Sequence, residues 1–398
     1  MLASRSFLAL LAMVFLYVLG RSMVSPVSPQ YYQAIHISIF GIGVLLGGFG
    51  ASFLVFEALW GFVSSRVWSK WTFFGLLVTS SLLPLPMSRP QPFAVLFGIQ
   101  IVSGMCFGGV GVLPRLLVPR LVEPRAAAKS FGYLGMLFAF GTMVGSLLGG
   151  TVYGLVGLSG SFVVAGLATA ASVLPLFFLD LGDATPPAGG PSEHPSEQVP
   201  RPASPLALPG LITLGLVALT VSASSVFYSY LLPNILIRDP SFSATVFEVS
   251  VVISLFSFSS GAFQPIMGLR GYQNPTRWIL SALVGCGVTF VLLTYASGIP
   301  EVYLLSFLTG IASSAITPLA LSVLSSRVAP SGLGRAFGLY GAAENSGIIV
   351  GSLAVGFLWA DFGSGTVFLA MASLVFGTAA AYAAATRKTG PAEVSNNA

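Results

Sequence analysis

Ionisable side chains inside long apolar runs are the residues of this sequence that could carry chemistry. Arg21, Glu57 and Glu344 lie well inside such runs, and Glu248 lies near the end of another. A charge at the centre of a bilayer costs about 2.5–3.5 kcal/mol on insertion scales, so each of these groups needs a partner or a wet cavity. The four residues are therefore the first candidates for a binding or proton-holding site.

Arg21 is a candidate ligand for an anionic group. Pro26 and Pro29 follow it and predict a kinked or broken helix on that side of the residue. An arginine beside a broken helix can face a cavity and bind an anion through two parallel N–H groups. It can equally pair with a buried carboxylate, and the sequence leaves both interpretations open.

Glu57 and Glu344 are candidates for holding a proton. Two carboxylates that are brought close together cannot easily both ionise, so one of them would keep its proton. The alternative is that each carboxylate bonds separately, to Asn345, to a serine or to an arginine. Glu248 lies near the end of its apolar run, where interfacial water can solvate it.

No catalytic or metal-binding motif accompanies these residues. The sequence contains no Gly-x-x-x-x-Gly-Lys-Ser/Thr stretch, no His-Glu-x-x-His and no Gly-x-Ser-x-Gly. Its two histidines, His36 and His194, lie in predicted loops. Its two cysteines, Cys106 and Cys286, lie inside apolar runs, where cysteine packs as a small apolar residue. We therefore predict no enzyme activity, no cofactor and no metal site.

The apolar runs define the elements that must position these side chains. Of 398 residues, 55% are hydrophobic and 7% are charged, whereas soluble domains carry about 25% charged residues. A helix needs about 20 apolar residues to cross a bilayer. This excludes an ordinary soluble enzyme and predicts an all-α membrane protein with about twelve transmembrane helices, near residues 6–30, 39–62, 71–88, 92–115, 130–154, 160–180, 207–232, 246–268, 278–296, 300–325, 335–358 and 363–385.

The basic residues predict the orientation of these helices. With the N-terminus in the cytoplasm, the 17 Lys and Arg residues divide into 14 inside, 2 outside (Arg89 and Arg238) and Arg21 within a span. This asymmetry follows the positive-inside rule. It predicts a multi-pass protein of the plasma or inner membrane with both termini cytoplasmic, and it accounts for the net charge of +5 without a nucleic-acid partner.

One stretch interrupts the apolar pattern. Residues 181–205 are rich in Pro, Ser and Glu and have no apolar face, which is typical of a flexible linker. The linker divides the chain into a six-helix bundle at residues 1–180 and a second six-helix bundle at residues 206–386. A tail at residues 387–398 follows the second bundle.

The two halves repeat each other. A shift of 206 positions places Gly145-Ser146-Leu147 on Gly351-Ser352-Leu353, and a shift of 207 places Glu57 on Gln264. Because both halves have six spans, they share one orientation in the membrane. Parallel repeats of this kind are related by an axis along the membrane normal. The sequence therefore predicts two matching bundles around a central cavity that can open to either side.

These features resemble the major facilitator superfamily of secondary transporters. The family's loop between helices 2 and 3 reads roughly Gly-x-Leu-x-Asp-Arg-x-Gly-Arg-Arg/Lys. This sequence keeps Gly61, Arg66 and Lys70, but Ser65 replaces the Asp and Trp68 replaces the second Gly.

A helix 5 motif resembles that of the drug–proton antiporter branch, Gly-x-x-x-Gly-Pro-x-x-Gly-Gly. This sequence has Gly141, Gly145, Gly149 and Gly150 at the matching positions, with Ser146 in place of Pro. The branch also carries an Arg four residues before a Gly in helix 4, where this sequence has Gln100 and Gly104.

The resemblance implies a monomeric secondary transporter that works by alternating access in the lipid bilayer and exports small amphipathic compounds in exchange for protons. It places helices 2 and 11 side by side, which would bring Glu57 and Glu344 together. The predicted substrate-binding residues are Arg21, Tyr228, Tyr230 and Gln264. The aromatic members of this set could equally belong to an interfacial belt.

Two motif groups have two interpretations each. Gly141, Gly145 and Gly149 recur every four residues, which allows either static helix packing or, by the resemblance, a sliding contact between the halves. Arg66 and Lys70 are either topology anchors or a latch at the inner gate. An organic-anion or metabolite carrier anchored by Arg21 is the alternative function, and a transporter-like receptor without transport is a third.

Overall fold

The regular structure of the described residues is helical throughout. The computed structural model describes residues 5–67, 70–121, 124–179, 208–270, 274–328 and 333–388, so the predicted linker and most of the predicted tail lie outside it. The α-helices are α1 (Arg5–Ser22), α2 (Val24–Ala34), α3 (Ile39–Val67), α4 (Lys70–Leu82), α5 (Phe93–Leu121), α6 (Pro124–Ala170), α7 (Leu208–Val226), α8 (Leu232–Arg238), α9 (Val246–Arg270), α10 (Pro275–Leu293), α11 (Ile299–Ser314), α12 (Ile316–Arg327), α13 (Leu333–Phe362) and α14 (Ser364–Lys388).

The apolar composition accounts for this architecture. A bilayer offers no water to backbone N–H and C=O groups, and a helix satisfies these groups within one segment. Eleven segments of the described chain are long and apolar enough to cross a membrane. This confirms an all-α membrane protein, and the longest segment, Tyr133–Phe178, has 46 residues.

The longest segment is a hairpin of two helices. Gly145 packs against Leu19, while Thr169 packs against Gly20. Gly145 and Thr169 each lie 12 residues from Gly157, so in a straight helix they would stand about 36 Å apart. Gly157 has a φ of 70°, which favours glycine and reverses the chain here. Counted over the described residues, the eleven segments therefore contain twelve membrane-length passes, six before the predicted linker and six after it.

Three passes consist of two helices in series. The first is α1 and α2, and the break between them comes before Pro26, as the sequence predicts. The seventh pass consists of α7 and α8, joined by a π-helical turn at Phe227–Leu231 that precedes Pro233. The tenth is α11 and α12. We call the end of the molecule with Ile37 and Asp239 the upper end, and the end with Arg5 and Lys70 the lower end.

The glycine ladder of α6 packs α6 against α1. Gly141 lies against Phe15 and Val18, and a β-carbon at Gly145 would overlap the carbonyl group of Leu19. Gly149 meets Met23 in the same way. Both helices belong to the N-terminal half, so these three glycines make a packing contact, and the alternative of a sliding contact between the halves is wrong for them.

The contact between the halves is formed by two equivalent helix pairs. On one side α3 packs against α13, where Gly43 meets Gly356, and on the other α6 packs against α9, where Gly150 meets Ser250. Shifting Gly43 by 207 gives Ser250, and shifting Gly150 by 206 gives position 356. The internal repeat of the sequence is therefore present as a two-fold relation between the halves.

Hydrogen bonds hold the upper end of the halves together. Arg238 Nη1 donates to the carbonyl of Ile37 at 3.0 Å, and the Ser25 hydroxyl donates to the carbonyl of Ser229. Next to Arg238, partial burial raises the pKa of Asp239, but hydrogen bonds from Ser364 (2.5 Å) and Ser241 outweigh it and hold that pKa below its usual value. The two halves are thus hydrogen-bonded to each other at the upper end.

The α1–α6 contact predicts that Gly145→Ala destabilises the protein. The added methyl group meets the backbone of Leu19, so the two helices must separate, at a cost of about 1–3 kcal/mol. Gly154→Ala on the same helix is the matched control, because nothing lies within 4 Å of its β-carbon position. Thermal unfolding in detergent should show a lower midpoint for Gly145→Ala alone. Equal midpoints for the two variants would contradict the close packing.

Candidate functional site

A cavity with about 640 Å³ of atom-free space, including its open mouth, lies within the N-terminal half. Its walls come from α1 to α6 and from the short 3-10 turn Leu85–Ser88 that follows α4. Tyr230 is the one lining residue from the C-terminal half. The cavity therefore lies beside the contact between the halves and largely inside one bundle, which differs from the purely central position that the sequence predicts.

Arg21, which the sequence predicts as a ligand of anions, lines this cavity. Its Nη1 donates to the Ser103 hydroxyl at 2.6 Å. The rings of Phe49 and Phe107 lie 4.6 and 4.7 Å from the guanidinium carbon. Cation–π contacts of this kind are strongest where water is excluded. Within the described residues, the contacts of Arg21 are thus to a hydroxyl and two aromatic rings, and not to the carboxylate that the sequence left as the alternative.

Further polar groups of the cavity wall come from three other helices. Gln100 Nε2 donates to the Tyr32 hydroxyl at 3.3 Å, which joins α5 to α2. Ser80 on α4 donates to the Tyr17 hydroxyl at 3.3 Å. Ser28 donates at 3.1 Å to the carbonyl of Ser25, which Pro29 leaves without a helical N–H. The wall therefore offers hydroxyl and amide groups beside the one cation.

Tyr230 reaches this cavity from the π-helical turn between α7 and α8. Its neighbour Ser229 lies four residues before Pro233, which has no N–H to donate to the Ser229 carbonyl. The hydroxyl of Ser25, from the other half, donates to that carbonyl. Tyr230 is thus the sequence neighbour of Ser229, whose carbonyl accepts the hydrogen bond from Ser25 of the other half.

Tyr228 does not reach the cavity, which corrects its predicted role as a substrate-binding residue. Its ring is fully buried and stacks on Phe256 with the centroids 4.6 Å apart. Its hydroxyl lies 2.8 Å from the Thr309 hydroxyl, which donates in turn to Thr289. A buried tyrosine needs such a partner for its hydroxyl. Tyr228 therefore belongs to the core of the C-terminal half.

Of the two predicted proton-holding residues, Glu57 lies at the contact between the halves. Asn345 Nδ2 on α13 donates a hydrogen bond to Glu57 Oε2 on α3. Glu344 is the neighbour of Asn345 in sequence and interacts electrostatically with Tyr340. The structure thus joins Glu57 to Asn345, one of the partners that the sequence left open.

Gln264 lies at the equivalent contact on the other side of the molecule. Its amide is 3.4 Å from the β-carbon position of Gly135 on α6. Gln264 corresponds to Glu57 under the shift of 207, so the two residues occupy equivalent positions on α3 and α9. Gln264 therefore packs between the halves and away from the cavity that contains Arg21.

Of the predicted latch residues, the structure describes the side chain of Lys70. Lys70 Nζ donates to the carbonyl of Phe177 at 3.1 Å and lies 5.8 Å from the ring of that residue. Both residues belong to the N-terminal half, so this contact does not join the halves. Gly61 and Arg66 lie on α3, and their side-chain surroundings fall outside the described residues.

Three residues of the site were not predicted from the sequence. Phe49, Phe107 and Ser103 surround the Arg21 guanidinium, and Ser103 carries the one signal that could have identified them. Ser103 and Gln100 are polar, three residues apart in an apolar run, and so lie on one face of α5. The described residues contain no group of three His, Cys, Asp or Glu side chains that could hold a metal ion.

Comparison with known proteins agrees with this architecture. The family model described as Major Facilitator Superfamily matches residues 10–238 and 214–398. The chain is 22% identical to the quinolone resistance protein NorA of Staphylococcus aureus (strain MSSA476) over 348 residues, covering 87% of this chain and 88% of NorA. It is 23% identical to multidrug resistance protein 2 of Bacillus subtilis (strain 168) over 363 residues, covering 89% and 88%.

The solved structures show the same fold. The crystal structure of a variant of the nucleoside transporter NupG superposes with a TM-score of 0.77 at 15% identity, covering 95% of this chain and 99% of that one. The family model covers both halves of the chain, in agreement with the internal repeat. The chain therefore belongs to the Major Facilitator Superfamily, a family of membrane transporters and not of enzymes.

Proposed function

We propose that this protein exports small amphipathic compounds from the cell by alternating access, in exchange for protons. The observation that carries the proposal is the hydrogen bond from Asn345 to Glu57, which joins the two halves across their contact. A carboxylate in this position can couple its protonation to the separation of the halves. The two relatives named above are a quinolone resistance protein and a multidrug resistance protein, which supports export of amphipathic compounds.

The coupling follows from the strength of the Asn345–Glu57 bond. A hydrogen bond to an ionised carboxylate is roughly twice as strong as one between neutral groups. Protonation of Glu57 therefore weakens the bond and favours separation of α3 from α13. Glu344 is the neighbour of Asn345 in sequence, so a second acidic residue, on α13, lies in the same helix turn as Asn345.

Orientation in the cell membrane is part of the proposal. The lower end carries Arg5, Lys70 and Arg387, and the upper end carries Arg89 and Arg238. By the positive-inside rule the lower end faces the cytoplasm, with both termini.

The two halves of one chain supply both sides of the contact, which supports a monomer that works alone in the lipid bilayer. The hydrogen bonds that join the halves at the upper end then lie on the outer side of the membrane.

Proton-driven flux is the direct test of this function. We expect purified protein in proteoliposomes to move a fluorescent amphipathic dye when a pH gradient is imposed, and to stop when an ionophore removes the gradient. The cationic dye ethidium and the anionic dye 8-anilinonaphthalene-1-sulfonate probe both charge types. Protein-dependent flux that ignores the gradient would overturn the proton coupling, and absence of flux for every dye tested would overturn export of amphipathic compounds.

Glu57→Gln tests the residue assigned to the coupling. The amide keeps the size of the side chain but cannot take up a proton, so we expect gradient-driven flux to fall at least tenfold while dye binding is kept. Glu248→Gln is the matched control, because Glu248 caps the start of α9 by accepting from Thr245 N at 2.8 Å, and α9 does not belong to the α3–α13 pair that carries the Asn345–Glu57 bond. An equal loss in both variants, or full flux in Glu57→Gln, would contradict the role of Glu57.

A further inference from the structure

We propose that the Arg21 cavity binds the substrate of this transporter and that this substrate is an amphipathic monoanion, a single carboxylate on an apolar body. That the bound ligand is transported rests on the proposed export function, whereas its binding site rests on the cavity itself. The described walls of the cavity come from six helices of the N-terminal half, together with Tyr230 of the other half.

The Arg21 guanidinium has donors to spare. An arginine has five N–H groups, and the described contacts of Arg21 use Nη1 for the Ser103 hydroxyl. Arg238 has two fully buried nitrogens, Nε and Nη2, that lack a hydrogen-bond partner. The same two atoms of Arg21 do not belong to this class of fully buried, unpartnered atoms. The free N–H groups of Arg21 are therefore accessible to an occupant of the cavity.

The aromatic rings set the direction from which an anion can approach. Phe49 and Phe107 each lie within 5 Å of the guanidinium carbon, at 4.6 and 4.7 Å. Rings over a guanidinium cover part of it while its N–H groups point outward along its plane. A carboxylate has two oxygens in one plane and can accept two parallel N–H bonds from that edge. The geometry thus fits a planar, two-oxygen acceptor.

Charge balance favours one negative charge on the occupant. Arg21 is the one ionisable cation among the fourteen lining residues, and none of them is acidic. A monoanion leaves the occupied cavity neutral, while a dianion such as a phosphate ester would leave one uncompensated charge in an apolar layer. Such a charge is costly to bury. A neutral or cationic occupant would leave Arg21 without an anionic partner.

The apolar side chains of the wall favour an occupant with an apolar body. Leu83, Pro84 and Met87 line the cavity from the end of α4 and the turn after it, and Leu46 and Ile99 line it from α3 and α5. No charged group other than Arg21 lies in this wall. An occupant with its carboxylate at Arg21 would place its apolar part against these residues. A carboxylate with an aromatic or aliphatic body combines both properties.

Binding of small aromatic probes to the purified full chain tests the site. The probes share one ring system: 2-naphthoate is a monoanion, 2-naphthamide is neutral and 2-naphthyl phosphate is a dianion at pH 8. We expect 2-naphthoate to bind wild-type protein at least tenfold more tightly than either of the others, measured by calorimetry in detergent. Equal affinities for the three probes, or no binding of 2-naphthoate, would overturn the proposal.

Substitution of Arg21 locates the binding. Arg21→Gln should weaken 2-naphthoate at least tenfold and remove the preference over 2-naphthamide, and Arg21→Lys should give an intermediate loss. Arg89→Gln is the matched control, because Arg89 is exposed at the upper end and does not line the cavity. If Arg21→Gln is not monodisperse by gel filtration, Arg21→Lys decides. Unchanged 2-naphthoate affinity in the folded Arg21 variants would overturn the site.

The dye flux measurement separates this proposal from the proposed function. Gradient-driven dye flux without Arg21-dependent binding of 2-naphthoate overturns the anion site and leaves proton-coupled export standing. Arg21-dependent binding without gradient-driven flux of any dye supports the site and overturns the export function. Both together, with 2-naphthoate inhibiting the flux of the anionic dye in wild type but not in Arg21→Gln, support the substrate assignment.

Discussion

Close approach of helix backbones is the constraint on which the rest of this structure depends. Lipid chains are as apolar as leucine side chains, so helices in a bilayer gain little from hiding apolar surface from lipid. They associate through van der Waals contact, and small residues bring that contact down to the backbone. Here Gly145 on α6 lies against the Leu19 backbone on α1, and Gly43 on α3 lies against Gly356 on α13. The first contact builds a bundle and the second joins two bundles.

Arg21 shows how a cation is kept in an apolar bundle where the described residues give it no carboxylate partner. One hydroxyl and two aromatic rings supply the local stabilisation, and the cavity leaves further donors accessible. The equivalent depth of the C-terminal half is filled by packed aromatic residues, including Tyr228 on Phe256. The two halves are therefore alike in their backbones and different in their interiors, and the difference concentrates the polar chemistry on one side.

The architecture could be predicted from the sequence because its causes are local and repetitive. Apolar runs of membrane length and a constant shift between halves are visible without any knowledge of contacts. The environment of Arg21 could not be predicted in this way, because it depends on which faces of α3 and α5 turn toward α1. Phe49 and Phe107 are two of 31 phenylalanines in the sequence, and nothing in their type distinguishes them from lipid-facing ones. Tyr228 and Tyr230 illustrate the same limit, because two positions along a π-helical turn separate a core residue from a cavity residue.

The proline of the seventh pass has a consequence for the energetics of opening. Pro233 has no N–H that could donate to the Ser229 carbonyl. The hydrogen bond that this oxygen accepts from Ser25 therefore replaces no backbone hydrogen bond from Pro233. When the two bundles part, that oxygen can accept from a water molecule entering the gap, and neither helix unwinds. The hydrogen bond between Ser25 and Ser229 can therefore break and form again without the loss of a helical hydrogen bond.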